Sequence, residues 1–294
     1  MLRLFNRNTI GAALLALLLL QNVLGGAEPA AKGSAKGKVK PIPEKLVVLT
    51  FDDACASHAS FVAPLLKKYG FGATFYVGEI TKNFSNKKWY MSWEQISDLN
   101  KMGFEVGNHT LTHARLGSKT VAEGIKEFKA IEDRCAKYKI PHPTTFCWPV
   151  YSVNKGLYPY MADNGYLFAR GGGERAYDPA KDDRYNVPSF TVPKNLFRNK
   201  NRFAGIVKKA IPGQVVVLTF HGVPDMEHHR WVNTTPAEFE KAMKYLKDNE
   251  YKVIAMRDLA AYVDVKKAIK KKNKAQSSSL HAAEKGKHLP KHEV

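Results

Sequence analysis

Cysteine is scarce in this chain, at three residues in 294, and acid is scarce beside base, at 27 Asp and Glu against 46 Lys and Arg. So few cysteines exclude a disulfide-built scaffold, and the spacing of Cys55, Cys135 and Cys147 suits no zinc finger. In an exported chain an odd count allows one bridge and one free thiol. The apolar run from Ile10 to Leu20 counts eleven residues, whereas spanning a bilayer takes about 20. No internal repeat is visible. A hydrophobic fraction of 44% is that of a folded protein and excludes the collagen-like and wholly disordered classes.

What the chain has in excess is positive charge, a formal +19, which invites a nucleic-acid partner. Its location argues otherwise. Arg3 and Arg7, the apolar run, and then Gly25, Gly26 and Ala27 follow the order of a secretory signal peptide over 1–27; the alternative is an uncleaved anchor. Residues 28–45, rich in Ala, Lys, Gly and Pro, read as a flexible basic linker. Residues 265–294 carry nine Lys against two Glu and read as a disordered tail. These segments hold +2, +3 and +7, which leaves +7 on 46–264. The folded part is mildly basic with no groove-reading element, so no nucleic-acid partner is expected. The tail is expected to favour anionic envelope polymers or lipid head groups, and the leader to export the protein to the periplasm, envelope or exterior.

Between Leu46 and Val263 short β-rich runs alternate with helical patterns. Strands are expected at 46–51, 73–77, 104–108, 144–148, 166–169, 214–220 and 252–255. Helices are expected at 58–69, 93–102, 120–138, 155–164, 202–210, 236–249 and 257–263, with Ser92 an N-cap. The stretch 171–199 reads as loop with one short strand at most. Such alternation means an α/β fold, a parallel sheet with helical crossovers, and about seven units favour a distorted barrel. Chemistry in such folds sits at the carboxyl ends of strands.

Three strand ends carry polar groups. Thr50-Phe51-Asp52-Asp53 closes the first: the adjacent carboxylates read as a helix cap, or as a pair that wants a cation or hydrogen-bond donors. His109 and His113, four residues apart after the third, can face one metal ion if the turn is helical. With one carboxylate they make a three-ligand set for a catalytic divalent metal. His221 emerges from Val215 to Leu218 as a candidate general acid.

These strings resemble the polysaccharide deacetylase family, the NodB-homology domain of carbohydrate esterase family four, over nearly all of 46–264. The resemblance rests on TFDD at 50–53, HTLTH at 109–113 and the Leu-x-x-His pattern at 218–221, with GATFYVGE (72–79) and GFEVGNH (103–109) beside them. It implies a distorted (β/α)7 barrel and metal-dependent removal of acetyl groups from an acetylated polysaccharide or oligosaccharide. By motif position Asp53, His109 and His113 hold a divalent metal, zinc by family habit. Asp52 is the base, His221 the acid, and Leu218 lines the acetyl pocket. A backbone N–H after Pro149 faces the oxyanion, and Trp148, Tyr151 and Trp231 form substrate contacts. Two features depart from the pattern. Cys147 stands where the family's third motif often has Arg, and Arg170 on the next strand could replace it; by the same motif positions Cys55 and Cys147 fall near the metal mouth, where a bridge between them or a zinc-ligand role is open. The Asp-Trp pair that orients the acid is not found, and Asp225 is the candidate substitute. Two other functions compete: a catalytically impaired carbohydrate-binding or envelope-attachment module, and a small-molecule amide or imide hydrolase. All five polar positions are kept, against the first, and the leader argues against the second.

Overall fold

The computed structural model describes residues 39–80, 83–192, 202–224 and 234–266. The expected signal segment, the linker before Val39, the tail beyond Lys266, Asp225 and Trp231 all lie outside the described residues.

β1 (Leu46–Phe51) is central, and all six of its residues are buried. A strand covered on both faces needs no alternation, hence its continuous run of Leu, Val, Thr and Phe. To one side come β2 (Thr74–Val77), β3 (Glu105–Asn108), β4 (Thr145–Cys147) and β5 (Phe168–Arg170), and to the other β7 (Val216–Phe220) and β6 (Phe190–Thr191). β8 (Lys252–Ile254) pairs with the first half of β1, Leu46 opposite Lys252, and β2 takes the second half, Thr50 opposite Thr74. Every pairing between these strands is parallel.

The sheet curls until residues 187–191 join its edges. Val187 bridges to Arg170 at the end of β5, and Phe190 then pairs with Leu218 of β7. This stretch reads as loop in the sequence because Pro188 and the polar residues before it break any strand pattern, yet it closes the barrel.

Alternation divides the strands into two layers. Val47, Leu49, Phe51, Val216, Leu218 and Phe220 face outward into a core shared with helix residues Leu66, Ile96 and Phe239. Leu46, Val48, Val215, Val217, Phe168 and Ile254 fill the barrel interior. The covering helices are α1 (Ala63–Tyr69), α2 (Trp93–Lys101), α3 (Val121–Lys137), α4 (Tyr158–Asp163), α5 (Arg202–Val207) and α6 (Pro236–Asp248). Capping boxes start three of them: Ser92 with Gln95, Thr120 with Glu123, Thr235 with Glu238. Each satisfies two end N–H groups that a helix leaves open.

Two expected helices take other forms. The one at 58–69 opens with a π-helical turn, His58–Val62, and the one at 257–263 is a 3-10 helix, Met256–Ala261. The 39–45 stretch of the expected linker runs against the barrel, with Lys40 N–H donating to Ala261 and Lys45 N–H to Ala210. Among the described residues no helix is long and apolar enough to cross a membrane.

Candidate active site

The carboxyl ends of β1, β3 and β7 meet at one mouth of the barrel. The Asp53 carboxylate lies 3.5 Å from His109 Nε2, 3.8 Å from His113 Nε2 and 3.7 Å from His221 Nε2. Asp53 is buried, while the side chains of His113 and His221 keep 27% and 19% of their surface exposed, so the cluster opens to solvent.

The backbone is bent to achieve this. Six of the ten non-glycine residues with a left-handed φ among those described are at or beside the mouth: Asp53, Ala54, Thr110, His113, Val150 and Tyr151. Left-handed L residues persist only where their surroundings over-determine them. At the His109–His113 turn those surroundings are visible. Asn108 accepts from Thr110 N–H and donates to Phe128 O and the Tyr166 hydroxyl. On the opposite side Gly78 leaves no room, since a Cβ there would fall 2.3 Å from Thr110 O. Gly78→Ala is therefore expected to displace the turn and weaken metal affinity about tenfold or more. Calorimetric titration measures this, and unchanged affinity would show that the turn is held some other way.

A backbone carbonyl fixes the His109 ring. Cys147 O lies 2.9 Å from His109 Nδ1, and a carbonyl can only accept, so Nδ1 carries hydrogen and Nε2 faces Asp53. Burial would push Asp53 up, but the His109 hydrogen bond and the charges of His221, His109 and His113 hold it well below the usual carboxylate range. Burial opposes a charged His109, yet Cys147 and the two aspartates raise its pKa well above the ordinary value. His113 is pushed down to about 4 by burial and by its charged neighbour His109.

Asp52 belongs to a different group. Its carboxylate pairs with the Arg170 guanidinium, which also reaches Cys147 Sγ, Thr219 Oγ1 and Ser189 Oγ. Arg170 is fully buried, and although burial opposes its charge, Asp52 keeps it firmly protonated. Among the described residues two sets of side chains could hold a cation: Asp53 with His109 and His113, and Asp52 with His109 and Cys147. The second already has a cation in Arg170, and His109 turns Nε2 toward Asp53. The first is the candidate metal centre.

Several expected roles change with this geometry. Leu218 does not line the mouth, because alternation turns it into the helix-side core; Thr219 takes the inward position and supports Arg170. Trp148 is fully buried, with its indole N–H satisfied by Tyr185 O 2.8 Å away, so it is core and not a sugar platform. Tyr151 does stand at the rim, 40% exposed, with its hydroxyl 2.8 Å from Thr191 Oγ1. Cys55, Cys135 and Cys147 form no disulfide with one another. The Cys147 sulfur meets Arg170 and Asp52, and Cys55 S–H donates to Asp52 O, so the bridge the sequence allows is not formed. Cys135 lies in the core, where burial pushes its thiol up to about 12. Thr219 and Ser189 escaped the sequence reading; counting back two residues from His221 along β7 would have found Thr219.

An α/β barrel with paired aspartates on β1 and imidazoles from two further strand ends defines a class. The polysaccharide deacetylase family model matches residues 39–169, under half of the chain. The chain is 34% identical over 123 residues to "Putative polysaccharide deacetylase YxkH" of Bacillus subtilis (strain 168), an alignment covering 42% of this chain and 43% of that protein. The match thus spans under half of that relative. Among solved structures, the peptidoglycan deacetylase PdaC of Bacillus subtilis superposes with a TM-score of 0.50 at 22% identity, covering 80% of this chain and 97% of that one. The chitin deacetylase of Colletotrichum lindemuthianum gives 0.50 at 17%, covering 74% and 88%. At these identities the likeness is one of fold.

Proposed function

We propose that the protein is a metal-dependent hydrolase that removes acetyl groups from a glycan, at an N-acetyl amide or an O-acetyl ester. The carrying observation is the convergence of His109, His113 and His221, each with Nε2 3.5–3.8 Å from the Asp53 carboxylate, with Asp52 beside it on Arg170.

A divalent cation fits the donor set. One carboxylate and two imidazoles offer ligand atoms within 4.8 Å of one another, the composition of a catalytic site that keeps positions open. Zinc suits two nitrogens and one oxygen. When bound there, such an ion would supply Lewis acidity toward water and the acetyl carbonyl.

The remaining work falls to the chain. Asp52 is next to a ligand but held by Arg170, so its carboxylate is free to take a proton from the attacking water. Attack on the acetyl carbon gives a tetrahedral oxyanion. The Val150 N–H, presented by a φ of 45° that a β-branched residue adopts only under constraint, is the backbone donor for that oxygen. His221 gives its proton to the departing amine, and acetate and the free amino sugar result. Arg170 does from β5 what an arginine at the Cys147 position would do from β4. Tyr151 offers its ring at the rim as a face on which a sugar can stack.

The intact set of polar groups favours this reading over an inert binding module on the same barrel. It also carries the expected setting: a polymeric acetylated substrate lies outside the cytoplasm, in keeping with the leader-like segment 1–27. The test is acetate release from N-acetylated chitooligosaccharides, peptidoglycan and acetylxylan by zinc-loaded protein. Release from at least one is expected, and none from any of the three would favour the binding module.

A further inference from the structure

His58 is a polar ring in an aromatic setting. It is fully buried, edge-on to Phe51 at 5.5 Å and 5.4 Å from Phe75. Leu or Phe would fill such a place without carrying polar atoms into the core, where each needs a partner. Its Nε2 lies 3.0 Å from the backbone oxygen of His221. A carbonyl only accepts, so Nε2 carries the hydrogen and donates it.

The adjacent residue does the complementary thing. Ser57 Oγ accepts from Val223 N–H at 2.8 Å. Two consecutive side chains therefore grip the chain on both sides of Gly222, one on the carbonyl before it and one on the N–H after it. Both come from the start of the π-helical turn His58–Val62, where Ala63 N–H returns to His58 O. Isolated π turns recur where a helix must place a side chain for function. Here the widened turn lies directly after the β1 aspartates and reaches across to the exit of β7.

We propose that Ser57 and His58 are positioning residues for His221, a clamp that fixes the backbone from which the acid projects and so aims its ring at the leaving nitrogen. The clamp rests on the assignment of His221 as acid. It acts through the main chain on both sides of Gly222 and so adds to whatever faces the His221 ring itself.

Proton donation matters for an amine leaving group and not for a stabilised phenolate. The zinc-loaded protein is therefore assayed on an N-acetylated chitooligosaccharide and on 4-nitrophenyl acetate, with bound zinc counted per chain. His221→Ala sets the scale, with kcat on the amide expected to fall about 10²–10⁴-fold and the ester spared. His58→Leu should lower amide kcat by about tenfold or more, with KM, ester turnover and zinc content within about twofold of the parent. His58→Gln, which keeps an N–H near the same place, should recover most of that loss, and Ser57→Ala should show a smaller loss of the same kind.

Equal losses on amide and ester, or no loss in His58→Leu and Ser57→Ala alike, would overturn the clamp while leaving His221 as acid. An amide rate untouched by His221→Ala would remove the acid assignment and the clamp with it. Should His58→Leu not fold, the Gln and Ser57 variants carry the same comparison.

Discussion

Asp52→Asn is expected to cut acetate release by about 10²–10⁴-fold while the metal stays bound, because the change removes a proton acceptor and no ligand. Asn keeps an oxygen for Arg170, and Thr219, Ser189 and Cys147 remain beside the guanidinium, so the fold should survive. His113→Ala should do the reverse, lowering zinc affinity with activity returning at high zinc. Zinc counting and acetate assay on the two variants separate the roles. If Asp52→Asn instead lost its zinc, Asp52 would be a ligand and the division between the two aspartates would be wrong.

Arg170→Met is expected to be the most destabilising single change. Both partners are buried, with Arg170 and Asp52 side chains 0% and 6% exposed. Removing one member of a buried pair strands the other, at about 3–5 kcal/mol, which would lower Tm by roughly 10 °C. The stranded Asp52 would also lose the partner that fixes its carboxylate, so turnover should fall with stability. Arg170→Lys should recover only part of either, since one ammonium cannot match a planar fork that reaches Asp52, Cys147, Thr219 and Ser189. Adding Asp52→Asn to Arg170→Met should restore stability without restoring turnover. Thermal melts and acetate assays on the four proteins read the coupling directly. Additive effects on stability would contradict a shared pair.

How much of this was legible in the sequence depends on what each signal encodes. The β1 run and the strand–helix alternation gave most elements within a residue or two, because a strand buried on both faces announces itself by composition alone. The paired aspartates and the two histidines were legible as a candidate metal set because strand ends in a parallel barrel converge. Leu218 and Trp148 were misplaced for a common reason. A buried apolar residue in a motif looks the same whether it faces a pocket or a helix layer, and only the partners across the sheet decide. Leu218 lies in the helix-side core that holds Phe51 and Phe239; Trp148 lies with Tyr185 and the core around Phe146. The closing segment 187–191 was illegible because its pairing is tertiary, one bridge to β5 and two residue pairs to β7. Arg170 was visible as a candidate, but not the four polar groups from other strands that hold it.

The measurement that bears most directly on the whole account is acetate release from an N-acetylated chitooligosaccharide by one preparation in three states: as loaded with zinc, after chelation, and after zinc is returned. The account predicts release in the first, loss in the second and recovery in the third, with Asp53→Ala inactive at zinc concentrations that saturate the parent. Release that persists through chelation, or undiminished turnover in Asp53→Ala, would contradict it.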